Sequence, residues 1–192
     1  MRRNFYEAFT LVEMLIVMGI LIILMAVGIT AGRFAINRAN DVAHQNAVDQ
    51  IYTGLQAYYT DEREFPAQVA PAELFVEGAT PADNILFDYL DQGAFKGGTE
   101  ATFFYFVETD QQQSVLVCVT LGGVDDSKHR GIYCNGNGFG DTNLLSGAIT
   151  DKNIPYDEIV DTQYDVIMGN LADTTMVSEW NGNSWGSSSV VE

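Results

Sequence analysis

From Phe9 to Ile29 the chain reads FTLVEMLIVMGILIILMAVGI, 21 residues with one charged side chain, Glu13. A helix of that length spans roughly 30 Å, the thickness of a hydrocarbon core. An acid in such a helix is costly. The penalty is roughly 2.5–3.5 kcal/mol at the bilayer centre on insertion scales and less near the boundary, so the residue needs a function and a partner. Arg2 and Arg3 are the only cations in the preceding MRRNFYEA. A basic flank stays in the cytoplasm, so the expected topology is a single N-in pass of the cytoplasmic membrane, with everything after about Ala31 exported.

Three processing schemes fit this segment. It can remain as an uncleaved anchor. It can be a secretory signal peptide, whose apolar stretch is normally about 7–15 residues long; Ile29-Thr30-Ala31 offers a cleavage site, but the run is longer and carries Glu13. Or the chain is cut on the cytoplasmic side, between Ala8 and Phe9. The apolar segment then stays on the protein and Phe9 gains a new α-amine.

Phe9-Thr10-Leu11-Val12-Glu13-Met14-Leu15-Ile16-Val17 closely resembles the processing site of bacterial type IV pilins and type II secretion pseudopilins. The resemblance combines a short basic leader, an aromatic start, an acid at a set position and a long apolar run. It implies cleavage by a prepilin peptidase, N-methylation of Phe9, and Glu13 as the assembly glutamate, fifth in the mature chain. One departure is Ala8, where the family usually has Gly; alanine is the smallest chiral replacement. The chemistry suits the spacing. An α-amine titrates near 7.7–8, about the usual value, so it is largely protonated at neutral pH. In lipid the ammonium and the Glu13 carboxylate each gain by pairing. Glu13 lies about one turn from Phe9, which permits a pair within one subunit. A pair between neighbours would set the axial offset of two packed helices, the role proposed in the family. A plainer role is an anion in the first helical turn, favoured by the helix dipole.

The helical pattern continues past the apolar run. Ala39, Ala43, Ala47, Ile51, Leu55 and Tyr59 recur every four residues, flanked by Val48, Tyr52 and Tyr58, while Asn46, Asp49, Gln50, Thr53 and Gln56 fill the other face. This is one amphipathic stripe. Pro66 and Asp61-Glu62-Arg63-Glu64 supply the stop. The spacing predicts one helix from about Thr10 to about Thr60. Gly19, Gly28 and Gly32 mark close approach of neighbouring helices or, for Gly28 and Gly32, local melting. IYTGLQAYYTDEREFP, from Ile51, resembles the helix end of major pseudopilins and many pilins, with Tyr58, Tyr59, Phe65 and Pro66 matching and the usual Asn-Gly missing. The resemblance covers residues 1–66 and then fades.

The expected organisation is a leader (1–8), a transmembrane or filament-core segment (9–29), an amphipathic helix half (30–60) and a globular head (61–192). In the head, Asn84 to Leu90 fits a short helix. Thr102 to Glu108 and Ser114 to Leu121 read as strands joined by a hairpin loop, and Gly131 to Cys134 as a third. A long helix followed by an antiparallel meander is an α+β fold with a sheet against one helical face. The tail from Asn135 reads as loop, closed by a small hairpin between Trp180 and Trp185.

Residues 1–60 balance four basic against four acidic side chains, so the net charge of −17 sits entirely on 61–192. Such a surface disfavours nucleic acid and keeps heads soluble. Cys118 and Cys134 are the only cysteines, both in the exported part, where a disulfide persists. Their spacing and number exclude a redox CxxC or a zinc site. Asn135, Asn137 and Asp141 in NGNGFGD, with Asp125 and Asp126 nearby, offer oxygen ligands of the kind calcium takes, the one cofactor considered. Some major pseudopilins bind calcium in the head, but this run matches no such loop residue by residue, and Gly-Asn turns are common without metal. His44 and His129 read as isolated surface residues. No GxSxG, HExxH, P-loop or Rossmann pattern appears, so the chain is not expected to be an enzyme. The leading expectation is a structural subunit of a type IV pilus-like filament. It would polymerise through its N-terminal helices out of membrane lipid, with a prepilin peptidase and a pilus or secretion machine as partners. A type II secretion pseudopilin and a membrane-anchored extracellular binding module are the alternatives.

Overall fold

The computed structural model describes residues 10–74, 85–90, 98–159, 162–182 and 185. The expected cut between Ala8 and Phe9 lies outside these residues, as do Asn84, Asn183, Ser184 and the terminal GSSSVVE.

Helix α1 runs Leu11–Glu62 without interruption through Gly19, Gly28 and Gly32. Among the described residues, the helix's own backbone aside, nothing lies within 4 Å of where a Cβ on any of these three would sit. The helix is not melted there. It stops at Arg63, whose φ of 67° is the left-handed conformation that commonly ends helices, and whose N–H still reaches the Tyr59 carbonyl at 2.9 Å. Pro66 then bars any continuation. The chain divides into two compact units, Met1–Ala39 and Asn40–Glu192. The first, where described, is helix with every side chain exposed.

In the second unit α1 buries Asp41, His44, Ala47, Val48, Ile51, Gly54 and Leu55. The large members, at 41, 44, 48, 51 and 55, alternate steps of three and four, so they form one straight stripe. The regular four-step stripe drifts off it: Ala39 is exposed and Ala43 half-buried. Two polar residues, Asp41 and His44, lie at the start of the true stripe, although His44 is expected from sequence at the surface.

The stripe packs on a five-stranded antiparallel sheet, β1 (Glu100–Val107), β2 (Val115–Thr120), β3 (Ile132–Gly136), β4 (Asn153–Ile154) and β5 (Val177–Asn181), in the order β4-β3-β2-β1-β5. Phe103, Tyr105, Val107, Val115, Val117, Val119 and Tyr133 share a core with Ala47, Val48, Ile51 and Leu55 of α1. Pairings such as Tyr105↔Val117 and Val119↔Tyr133 put these side chains on one face, as period-two alternation requires. The alternate residues Phe104, Phe106, Leu116, Cys118, Ile132 and Cys134 form a second core with Leu144, Leu145, Ile149, Tyr164 and Ile167. The tail therefore covers the far face of the sheet and is no loose loop. It carries α3 (Thr162–Met168) and returns as β5 beside β1. A four-residue helix, α2 (Pro71–Leu74), follows the end of α1. Residues 85–90 form a turn, with Leu90 N–H on the Leu86 carbonyl at 3.0 Å, where a short helix was expected. Trp180 and Trp185 face each other across an isolated antiparallel bridge.

Candidate functional site

The N-terminal end of α1 is built by Thr10. Its Oγ1 accepts the Glu13 N–H at 3.3 Å, and its carbonyl accepts the Met14 N–H at 3.3 Å. The Thr10 hydroxyl also donates to Glu13 Oε2 at 3.4 Å. Thr-x-x-Glu is the spacing at which a cap and the third helical residue support each other. The pattern stands in the sequence as Thr10-Leu11-Val12-Glu13, a signal the periodicity reading passed over. Glu13 thus has a local duty at the positive end of the helix dipole. That duty occupies one of its oxygens through a long, exposed hydrogen bond. Among the described residues no cation is paired with Glu13; the ion pair there is Arg130–Asp41.

Past Glu13, the large apolar side chains from Met14 to Ile29, and Phe34 and Ile36 beyond them, are exposed. The segment is long and apolar enough to cross a membrane. Burying each such side chain is worth roughly 1.5–3 kcal/mol, so a surface of this kind calls for lipid or other helices around it.

The family model for the prokaryotic N-terminal methylation motif matches residues 3–29. The chain carries the prepilin-type signature of type IV pilins and pseudopilins. Comparison with curated proteins and with solved structures found no match. The prepilin-type segment and the α+β head behind it together make a pilin-like architecture, with a motif that implies processing by a prepilin peptidase.

The head of this prepilin-type chain is cross-braced at several points. Cys118 and Cys134 stand directly opposite on β2 and β3 and form a disulfide, with Cα atoms 4.1 Å apart. The three calcium candidates each make hydrogen bonds within the head. Asn135 Oδ1 accepts from Lys152 Nζ at 2.8 Å, and its Nδ2 donates to Asp49 Oδ1 at 2.7 Å. Asn137 Oδ1 accepts the Val115 N–H at 2.9 Å, and its Nδ2 donates to the Gln113 carbonyl at 2.8 Å. Asp141 accepts the Asn143 N–H at 2.9 Å. That bond and the Ser114 hydroxyl hold the Asp141 carboxyl below its ordinary value. Among the described residues no three His, Cys, Asp or Glu side chains converge on one point.

Sequence reasoning missed three polar nodes. Asp49 lies on the face of α1 read as polar, yet it binds the sheet, accepting from the Tyr133 hydroxyl at 2.9 Å as well as from Asn135. Burial and this bond to a carboxylate push the Tyr133 phenol up to about 12. Asp126, fully buried in the β2–β3 connection, accepts from Arg130 N–H (2.7 Å), Gly131 N–H (2.9 Å) and the Tyr164 hydroxyl (2.9 Å). Asp125 and Asp126 are both in left-handed backbone, at φ 52° and 49°. His44 is buried, not on the surface, and its ring lies near the Asp41–Arg130 pair. His129 is exposed as expected and stacks on Tyr156 at 4.0 Å. Nothing in Asp-Asp-Ser-Lys-His-Arg marks which acid is buried, because two of the donors to Asp126 are backbone N–H groups, which any sequence offers, and the third, Tyr164, comes from α3.

Proposed function

We propose that this chain is a structural subunit of a type IV pilus-like filament, inserted N-in, cut after Ala8, methylated at Phe9 and drawn from the membrane into a polymer. The observation that carries the reading is the prepilin-type motif itself, with Glu13 as the one acid in an apolar helical segment whose large side chains are exposed. Polymerisation exchanges lipid around Leu11–Ile29 for neighbouring helices. A new ammonium at Phe9 of one subunit meets Glu13 of the next and selects their axial offset. The acidic heads remain outside, soluble and mutually repelling at low salt. The subunit has a structural role and no catalytic one.

Substituting Glu13→Ala in the native host tests this. Recovery in the membrane fraction should be unchanged, and sheared filament yield should fall to background. Normal filament yield from that variant refutes the role of Glu13. Intact mass of membrane-extracted protein tests the processing: loss of MRRNFYEA with gain of one methyl group is expected. Loss through Ala31 instead marks a secreted protein, and an uncut chain marks an anchor.

A further inference from the structure

The His44 ring is 1% exposed, one turn into the part of α1 that belongs to the head. Its Nε2 lies 3.0 Å from the Thr99 carbonyl oxygen. A carbonyl only accepts, so Nε2 carries the proton and Nδ1 of the neutral ring carries the lone pair. Nδ1 is buried and has no hydrogen-bond partner among the described residues. Backbone closes over the ring edge at Gly98: a Cβ there would fall 2.8 Å from Nε2 and 3.1 Å from the Asn40 carbonyl oxygen. The ring therefore cannot turn without displacing residues 98–99, which lead directly into β1 and its pairing of Glu100 with Asn181.

Two charged groups act on the ring, Asp41 from its own helix and Arg130 from the β2–β3 connection. Asp41 favours a charged ring, but its Oδ2 is already held by the Arg130 guanidinium, which opposes one. The two charges act in opposite directions, and burial is the largest influence on the ring.

We propose that His44 is a proton-operated catch: the neutral ring holds the Gly98–Thr99 lead-in of β1 against α1, and a second proton on Nδ1 releases it. A charged imidazolium would carry a buried N–H that no acceptor meets in the present packing, so the ring must shift, toward Asp41 or out of its pocket, and weaken the segment that closes it. Desolvation already sets the ring below its ordinary value, with the Thr99 carbonyl and Asp41 opposing and Arg130 assisting. The sign follows from linkage. A histidine lowered in the fold leaves stability intact above the unfolded value of about 6.5, and stability is lost as pH falls from there through the folded value. The catch lies wholly within the head and does not depend on the filament reading.

The experiment uses the full chain in detergent micelles with histidine-selective labelling. Only two ring signals arise, and His129→Gln assigns them. His44 should titrate below the ordinary histidine range. Hydrogen exchange at residues 99–101, corrected for intrinsic rates, should lose up to about tenfold protection per pH unit between about pH 6.5 and the His44 midpoint. In His44→Gln, whose amide can donate to Thr99 without titrating, this loss should vanish. A His44 midpoint at or above the ordinary value overturns the proposal even if the glutamine variant fails to fold. An equal loss of protection in the glutamine variant overturns it too.

Discussion

Asp126→Ala is the sharpest test of how the head is held together. The carboxylate is fully buried and receives three donors, the N–H groups of Arg130 and Gly131 and the Tyr164 hydroxyl, all within 2.9 Å. Alanine removes this acceptor from all three donors. One unmade bond of this kind costs about 1–3 kcal/mol, more where the acceptor was charged. The three share one site and relax together, so the costs do not simply add. A total of about 4 kcal/mol is expected, and for a head of this size that lowers the melting temperature by roughly 8–16 °C. Trp180 and Trp185, the only tryptophans, both lie in the head, so near-UV circular dichroism and tryptophan fluorescence of the full chain in detergent report the transition. Tyr164→Phe removes one donor and leaves the other two, and should cost only about 1 kcal/mol. In the double variant the two losses should overlap by about that amount. If Asp126→Ala lowers stability by less than about 1 kcal/mol, the carboxylate does not organise the β2–β3 connection and the reasoning fails.

Two further outcomes are expected. Cys118→Ala/Cys134→Ala should lower stability by about 3 kcal/mol, as expected when a loop of this length is opened, while the native bond should resist reductant until the head unfolds because both cysteines are buried; rapid reduction of the folded protein would count against this placement. Tyr133, pushed up to about 12 beside Asp49, keeps its full contribution below the ordinary phenol value of about 10 and loses it as pH rises from there to 12, so Tyr133→Phe should flatten the alkaline limb of a stability profile, and an unchanged limb refutes the Tyr133–Asp49 bond.

Local periodicity carried much of the fold. The helix expected over Thr10 to Thr60 is observed as Leu11–Glu62, and the three meander strands lie within two residues of their expected bounds. The error was on the far side of the sheet. TFFYFV and VLVCV are apolar at consecutive positions, the mark of strands covered on both faces. An alternating strand needs one covering layer, and these need two. The second is the tail from Phe139 to Met176, which reads as loop because its apolar residues, among them Leu144, Ile149 and Ile167, are too widely spaced to show a period.

The N-terminal chemistry needed no tertiary structure. A membrane-length apolar run, one acid at a set distance from a short basic start, and two cysteines in the segment beyond depend on composition and order alone. Which polar side chains are buried was decided only by the fold. Asp41, His44 and Asp126 look like surface residues in sequence, since a local window cannot show Arg130, Thr99 or Tyr164 arriving from elsewhere. Desolvating a polar group is tolerable only when such distant partners meet it, and three-dimensional packing alone brings them there.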